Sequence, residues 1–264
     1  MLLTIDVGNT NTEYGIYEGE KLTHTFRLMT KNSRTSDEIG LTVCDYFHRF
    51  SLDVGAVEGV IIASVVPEIM YSLKSAMIKY FGVKPLVVNE DVYPGLRYLY
   101  DISPELGSTM HGADRSVACM AAAEKYGAPL LVLDFGTAST IDAVRTDGVY
   151  VGGSIFAGLN TTMNALAAQA SMLPTVELKA PEQFLNYELT GHIQAGVVGG
   201  YIGSVEYLIR CSKAEMEEPD EEIKVIATGG LSSLIAAQTD AIDIVDAELI
   251  PDGLMRIYRR QEKQ

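Results

Sequence analysis

The chain has no tryptophan and only three cysteines, Cys44, Cys119 and Cys211, each isolated from the others. No C-x-x-C pair is present, which argues against a zinc site. An odd, scattered set suits a reducing cytoplasm rather than a disulfide framework. No apolar run reaches the roughly 18 residues that a membrane span needs. The apolar stretch 1–5 meets Asp6 early and carries no basic leader, so it does not read as a signal peptide. Positive charge is scarce as well: 20 Lys and Arg stand against 35 Asp and Glu, a formal charge of −15. That balance disfavours nucleic acid, whose phosphates need a basic face. An anionic small-molecule substrate remains open where a few basic groups and a cation offset the field. The pattern G-x-x-x-x-G-K-[ST] does not occur, so any phosphate site here is not a P-loop.

What is present is a hydrophobic content of 47% with 21% charged residues, enough for a sizeable core in one large or two modest domains. The organising stretch is Asp6-Val7-Gly8-Asn9-Thr10-Asn11-Thr12, which follows the apolar run Leu2-Leu3-Thr4-Ile5. A buried strand entering a turn with a glycine lets backbone N–H groups approach phosphate oxygens, and Asp6 is placed to hold a divalent cation through water. The pattern repeats in Leu130-Leu131-Val132-Leu133-Asp134-Phe135-Gly136-Thr137-Ala138-Ser139-Thr140. At a constant offset Leu2/Leu130, Leu3/Leu131, Asp6/Asp134, Gly8/Gly136 and Thr12/Thr140 are identities. Two ordinary hairpins would share an Asp and a Gly by chance; five coincident positions favour a duplicated domain with one phosphate-holding turn from each half.

Along the chain, residues 21–30 read as a strand completing a meander. Residues 36–49 have helical spacing, with Ser36 or Asp37 as cap. The β-branched run 60–66 has the character of a strand buried on both faces and stops at Pro67, a favoured first residue of a helix that runs on through Met77, Ile78 and Tyr80. Residues 85–88 form another strand, 93–110 a loop, and 112–126 a helix stopped by Gly127. In the second half, 148–153 read as a turn before the strand 154–156, and 161–170 as a helix broken by Leu173-Pro174. Residues 191–214 read as one long helix whose Gly196, Gly199, Gly200 and Gly203 make a flat face that another backbone can approach. An acidic surface loop, 215–222, precedes the strand 224–228, a helix from Ser232 and a closing amphipathic helix 251–260. The order implies a mixed α/β sheet.

Among groups able to do chemistry, Asp114 lies at a loop-to-helix junction, where free amides and the helix dipole receive anions and favour an ionised carboxylate. It would accept a proton from a substrate hydroxyl, with Arg115 or the amides on a substrate carboxylate. On local sequence alone, helix capping with a solvated Arg115 is the plainer reading. Asp134 is placed to bind a cation and Thr137 to reach phosphate. Thr228-Gly229-Gly230 has the look of a nucleotide-facing turn. His24, His48, His111 and His192 show no ligand spacing and read as structural or exposed.

In order along the chain, Asp6-Val7-Gly8-Asn9-Thr10, Ser64-Val65-Val66-Pro67, Gly112-Ala113-Asp114-Arg115, Asp134-Phe135-Gly136-Thr137-Ala138, Gly152-Gly153-Ser154-Ile155, Leu173-Pro174 and Ala227-Thr228-Gly229-Gly230 resemble type III pantothenate kinase. The resemblance implies an α/β fold of duplicated actin-like (ribonuclease H-like) ATPase domains, with mixed five-stranded sheets flanked by helices. Residues 1–116 would carry the phosphate turn; residues 117–264 would carry the second turn, the adenosine pocket and the dimer interface. It implies a cytoplasmic homodimer that phosphorylates pantothenate with ATP, the first step of coenzyme A biosynthesis, using Mg²⁺ and K⁺ or NH₄⁺. Carried over by residue, Asp6, Val7, Gly8, Asn9, Thr10, Asn11, Thr12 and Glu13 bind ATP together with Thr137. Asp114 is the general base, and Tyr100, Gly112, Ala113, Asp114, Arg115 and Thr190 hold pantothenate. Asp134 binds the monovalent cation and Asp6 the Mg²⁺ through water.

The departures gather at the acceptor. Leu189 occupies the place of a family threonine, with Thr190 one step along; Ala157 replaces a proline, Phe26 a tryptophan beside the retained Arg27 and Thr30, and residues 107–111 look like an insertion before Gly112. A same-fold kinase for another small acceptor, or a regulatory nucleotide-binding paralogue without turnover, are the alternatives.

Overall fold

The computed structural model describes residues 1–99 and 111–263. In chain order the elements are β1 (Leu2–Val7), β2 (Asn11–Glu18), β3 (Lys21–Met29), α1 (Ser36–Arg49), β4 (Gly59–Ser64), α2 (Pro67–Ala76), β5 (Leu86–Val87), β6 (Arg97–Tyr98) and α3 (Ala113–Tyr126). There follow β7 (Leu130–Phe135), β8 (Ala138–Val144), β9 (Val149–Ala157), α4 (Leu159–Gln169), α5 (Leu189–Gln194), α6 (Gly200–Glu215), β10 (Lys224–Thr228), α7 (Ser232–Ala236), β11 (Ile244–Val245) and α8 (Leu249–Glu262). Two compact units result, residues 1–121 with 248–264 and residues 122–247, so the division falls inside α3.

In the first unit the sheet runs β3-β2-β1-β4-β5, an antiparallel meander joined at β1 by two parallel strands. Leu3, Ile5 and Val7 of β1 pack with Ile39, Val43 and Phe47 of α1 and with Ile69 and Leu73 of α2. The alternate face meets α8: Tyr17 donates to Asp252 Oδ1 at 2.8 Å, and a Cβ on Gly59 would collide with the Tyr258 phenol. With both faces covered, β4 is an apolar run from Val60 to Ala63, and β1 is apolar except for the buried Thr4 and for Asp6 near its end, as suits a buried parallel pair. Helix α1 is capped one residue earlier than its spacing suggests. Thr35 Oγ1 accepts from Glu38 N at 3.2 Å while Thr35 N donates back to Glu38 Oε2 at 2.8 Å, a reciprocal box that neither Ser36 nor Asp37 can make.

The second unit repeats the plan as β9-β8-β7-β10-β11, with β7–β9 antiparallel and β10 and β11 parallel to β7. Leu131, Leu133 and Phe135 pack under Leu159, Val198, Tyr201 and Val205 of the helical layer. One further expectation changes here, and two predicted helices prove to contain a π-turn. Gly152 and Gly153 lie inside β9 rather than in a turn: Ala143 faces Gly152 and Val144 faces Tyr150, so Val151 is the extra residue of a bulge beside which Gly152 takes φ +146. The predicted helix 191–214 is helical throughout, running from α5 through a π-turn at Ala195–Gly199, where glycines weaken the regular ladder, into α6. The helix from Pro67 does run on through Met77, Ile78 and Tyr80, its last turn, Met77–Phe81, being a π-turn that continues α2. No helix among the described residues is long and apolar enough to cross a membrane.

Candidate functional site

Strand β1 is buried throughout except at Asp6, which reaches the surface at the strand's end while its Oδ1 stays buried. The turn that follows closes through Gly8 N donating to Asn11 O at 3.0 Å, leaving Asn9, Thr10 and Asn11 exposed. Thr30, just past β3, ties this turn from outside. Its hydroxyl donates to Gly8 O at 2.7 Å, its amide donates to Thr10 O at 2.9 Å, and its Oγ1 lies 2.9 Å from that of Thr12. Val7 pairs with the buried Thr12, and Glu13 forms an ion pair with Arg27. All eight residues from Asp6 to Glu13 thus belong to one hairpin end.

Asp114 is the second residue of α3, and Arg115 N donates to its Oδ1 at 2.8 Å. Gly112 precedes the helix at φ +78, and a Cβ there would stand 2.8 Å from Asp114 Oδ1. Only glycine fits that left-handed, crowded position. The same imagined Cβ would touch Val65 Cγ1 at 3.7 Å, and Val65 N donates to Val7 O at 3.1 Å. Through Val65, therefore, the Gly112-Ala113-Asp114-Arg115 junction lies against the root of the first turn. Ala113 is buried, while Asp114 and Arg115 are half-exposed.

The second turn carries Asp134, half-exposed like Asp6, and Thr137, exposed. Its backbone is pinned at Thr137 O, which accepts from Thr161 Oγ1 at 2.6 Å and from Gly158 N at 3.1 Å. Thr228 stands in register with Asp134, and a Cβ on Gly229 would collide with Asp134 Oδ1 and the Phe135 backbone. The absent side chain lets the Gly229 backbone pack directly against a hard carboxylate oxygen, the donor type that suits alkali and alkaline-earth cations. Behind the turn, Ser139 Oγ is hydrogen-bonded to Tyr201 Oη. Burial pushes the Tyr201 phenol up to about 12; the Ser139 bond opposes this and the nearby Asp134 charge adds to it.

The candidate acceptor residues separate. Leu189 lines an apolar groove of about 690 Å³ with Phe156, Ala157, Gly196, Gly200 and Tyr201. Thr190, its neighbour, lines a polar cleft of about 450 Å³ with Asn186 and Gln194. Tyr100 lies outside the described residues, as does most of the 107–111 stretch. Of the histidines, His111 stacks on Tyr98 and His192 Nε2 lies 2.6 Å from Asn186 O. No group of three His, Cys, Asp or Glu able to hold a metal occurs among the described residues. Sequence reasoning gave no role to Thr161, Tyr201 or Gly158, and Thr30 entered only as part of a strand motif. Each acts through a bond to a distant turn, for which no local spacing exists.

A family model described as type III pantothenate kinase matches residues 2–211. A curated protein named type III pantothenate kinase from Geobacillus kaustophilus (strain HTA426) is 39% identical over 264 residues, covering 100% of this chain and 99% of that one. Among solved structures, a protein from Campylobacter jejuni described as a Baf family transcriptional activator aligns with a TM-score of 0.61 at 19% identity, covering 99% of this chain and 100% of its own. A protein from Sinorhizobium meliloti described as a 2-dehydro-3-deoxygalactonokinase aligns at 0.60 and 13%, covering 98% and 96%. At these identities the structural likeness speaks to the fold, which is the duplicated actin/hexokinase-like α/β architecture.

Proposed function

The chain belongs to the type III pantothenate kinase family, and on that premise we propose a role for each part of the site. The enzyme phosphorylates pantothenate with ATP in coenzyme A biosynthesis. One observation carries our assignment of the base: Val65 joins Gly112 to Val7, so Asp114 sits beside the turn from Asp6 to Glu13 within one unit. A carboxylate there, accepting the Arg115 amide, takes the proton of the primary hydroxyl as its oxygen attacks the γ-phosphorus in line and ADP departs. The backbone of Gly8 to Thr12, Thr137 and the Thr228-Gly229-Gly230 turn bind ATP. Tyr100, Gly112, Ala113 and Thr190 hold pantothenate, with Arg115 on its carboxylate.

Asp6 would hold Mg²⁺ through water, and Asp134, against which the Gly229 backbone packs, would hold K⁺ or NH₄⁺. When bound, these ions offset the charge of the phosphates, a need sharpened by the chain's own −15. The enzyme works in the cytoplasm as a homodimer joined across the face of Gly196, Gly200 and Gly203, where an added Cβ would meet nothing within 4 Å. Exposed Ile155, Leu166, Met172 and Leu189 belong to the same unit as that face. A coupled ADP-release assay with and without pantothenate, in K⁺, NH₄⁺ or Na⁺, tests the reading. Release that needs pantothenate and is stimulated by K⁺ or NH₄⁺ supports it; release indifferent to both overturns the acceptor and cation assignments.

A further inference from the structure

The two turns are similar but not superimposable residue for residue. Strands β1 and β7 share one burial pattern, as do the starts of β2 and β8. The registers differ, however: Val7 faces Thr12, whereas Phe135 faces Ser139. Gly8 N reaches forward to Asn11 O at 3.0 Å, but Gly136 N reaches only to Ala138 O at 3.1 Å. The second turn is one residue shorter. The counterpart of Thr12 is consequently Ser139, although the sequence pairs Thr12 with Thr140.

That correction exposes a shared device. Thr12 and Ser139 are both buried, at 3% and 0% exposure, and each hydroxyl meets a hydroxyl brought from outside its own hairpin strand pair. For Thr12 the partner is Thr30, whose own proton goes to Gly8 O, so Thr12 is the donor to Thr30. For Ser139 the partner is Tyr201 of α6, whose ring lies between Phe156 at 5.7 Å and Phe135 at 6.4 Å. A hydroxyl in such apolar surroundings is costly without a partner, and these two satisfy one another. Packing alone does not call for the pair, because replacing both partners with apolar groups is nearly neutral.

We infer that Tyr201 is a positioning residue for the second phosphate turn, acting through Ser139 as Thr30 acts on the first turn through Thr12 and Gly8. The inference rests on the reading of Asp134 and Thr137 as an ATP and cation site. It is tested in the full-length enzyme with Tyr201→Phe, Ser139→Ala, the double variant and Asp134→Ala. The measurements are KM for ATP and for pantothenate, kcat, the K⁺ concentration for half-activation, and the melting temperature.

The expected result is a KM for ATP raised about tenfold by either single change, with that for pantothenate within about twofold. The double variant should be no worse than the singles, because both remove one interaction. Its melting temperature should return close to that of the wild type. A double variant with wild-type ATP and K⁺ dependence would overturn the inference, and so would a loss shared equally by both KM values. Should Asp134→Ala leave the ATP and K⁺ dependence unchanged, the reading of the turn fails and the inference falls with it. An effect of Asp134→Ala without one of Tyr201→Phe removes the hydroxyl pair alone.

Discussion

Val65 donates its backbone N–H to the carbonyl of Val7 at 3.1 Å, and its side chain bears on Gly112. A parallel strand end thereby becomes the spacer between the turn after β1 and a helix N-terminus carrying a carboxylate. From this follows the first expectation. Asp114→Asn keeps the volume and can still accept the Arg115 amide, but it no longer takes a proton. Turnover should drop by about a hundredfold or more with ATP binding retained, since a lost general base typically costs about 10²–10⁴ in rate. Steady-state kinetics beside nucleotide binding by calorimetry will show it; near-normal turnover would remove Asp114 from the chemistry.

Asp134→Ala should abolish stimulation by K⁺ or NH₄⁺ and raise KM for ATP, because the phosphates lose a neighbouring cation in a chain of net charge −15. Activity measured across K⁺, NH₄⁺ and Na⁺ gives the answer. Equal wild-type activity in Na⁺ alone would rule out the monovalent site.

Gly200→Leu probes assembly with little penalty to the folded chain. The position is exposed with open space around it, and leucine is the better helix former by nearly 1 kcal/mol. Light scattering should therefore report a dimer for the wild type and a monomer or aggregate for the variant. Gly199→Ala makes an informative contrast, since its Cβ would displace the exposed Phe184 ring without adding bulk to the open glycine face, and light scattering should still report a dimer.

The acceptor assignment turns on two adjacent residues facing different concavities, Leu189 the apolar groove and Thr190 the polar cleft. If Thr190 reads pantothenate, Thr190→Val raises KM for pantothenate about tenfold and leaves that for ATP in place, as expected for one lost hydrogen bond in a polar site. Robust pantothenate-dependent activity indifferent to Thr190→Val would exclude the cleft from acceptor recognition.

Alkaline pH provides a check on Tyr201. Its phenol holds a proton up to about 12 when folded, against 10.0 when unperturbed. The folded chain thus binds that proton more tightly than the unfolded one. Its contribution to stability is complete below about pH 10 and is lost as pH rises toward about 12. Melting temperature against pH should fall across this window, and Tyr201→Phe should flatten the fall.

Much of the site could be read from the chain because it depends on contiguous residues. The strand–turn stretch at Asp6, its echo at Asp134 and the glycine-to-helix junction at Asp114 each announce themselves within about one turn of sequence. The one-residue slip between the two turns could not be read, since Thr140 matches Thr12 in identity while hydrogen bonding, not identity, sets register. Nor could the bond between Ser139 and Tyr201, which joins positions 62 apart. Glycines misled in two opposite ways: Gly152 and Gly153 suggested a turn where strand pairing prevails, and Gly196 to Gly200 suggested a face without revealing the π-turn beneath it. Amphipathic spacing foretold α8 but could not say which sheet its apolar side covers.

That last helix sets an order of events on the ribosome. The sheet of the first unit is made from the earliest residues, yet Tyr17, Gly15 and Gly59 on one of its faces are covered by Asp252, Pro251 and Tyr258. The whole of residues 122–247 emerges before that cover does. The nascent first half therefore waits half-closed, its apolar strands shielded on the α1–α2 side only, until the second unit has been made. A stop codon shortly before Glu248 would leave Asp6, Asp114 and Asp134 in place and still damage the beginning of the protein, not its end.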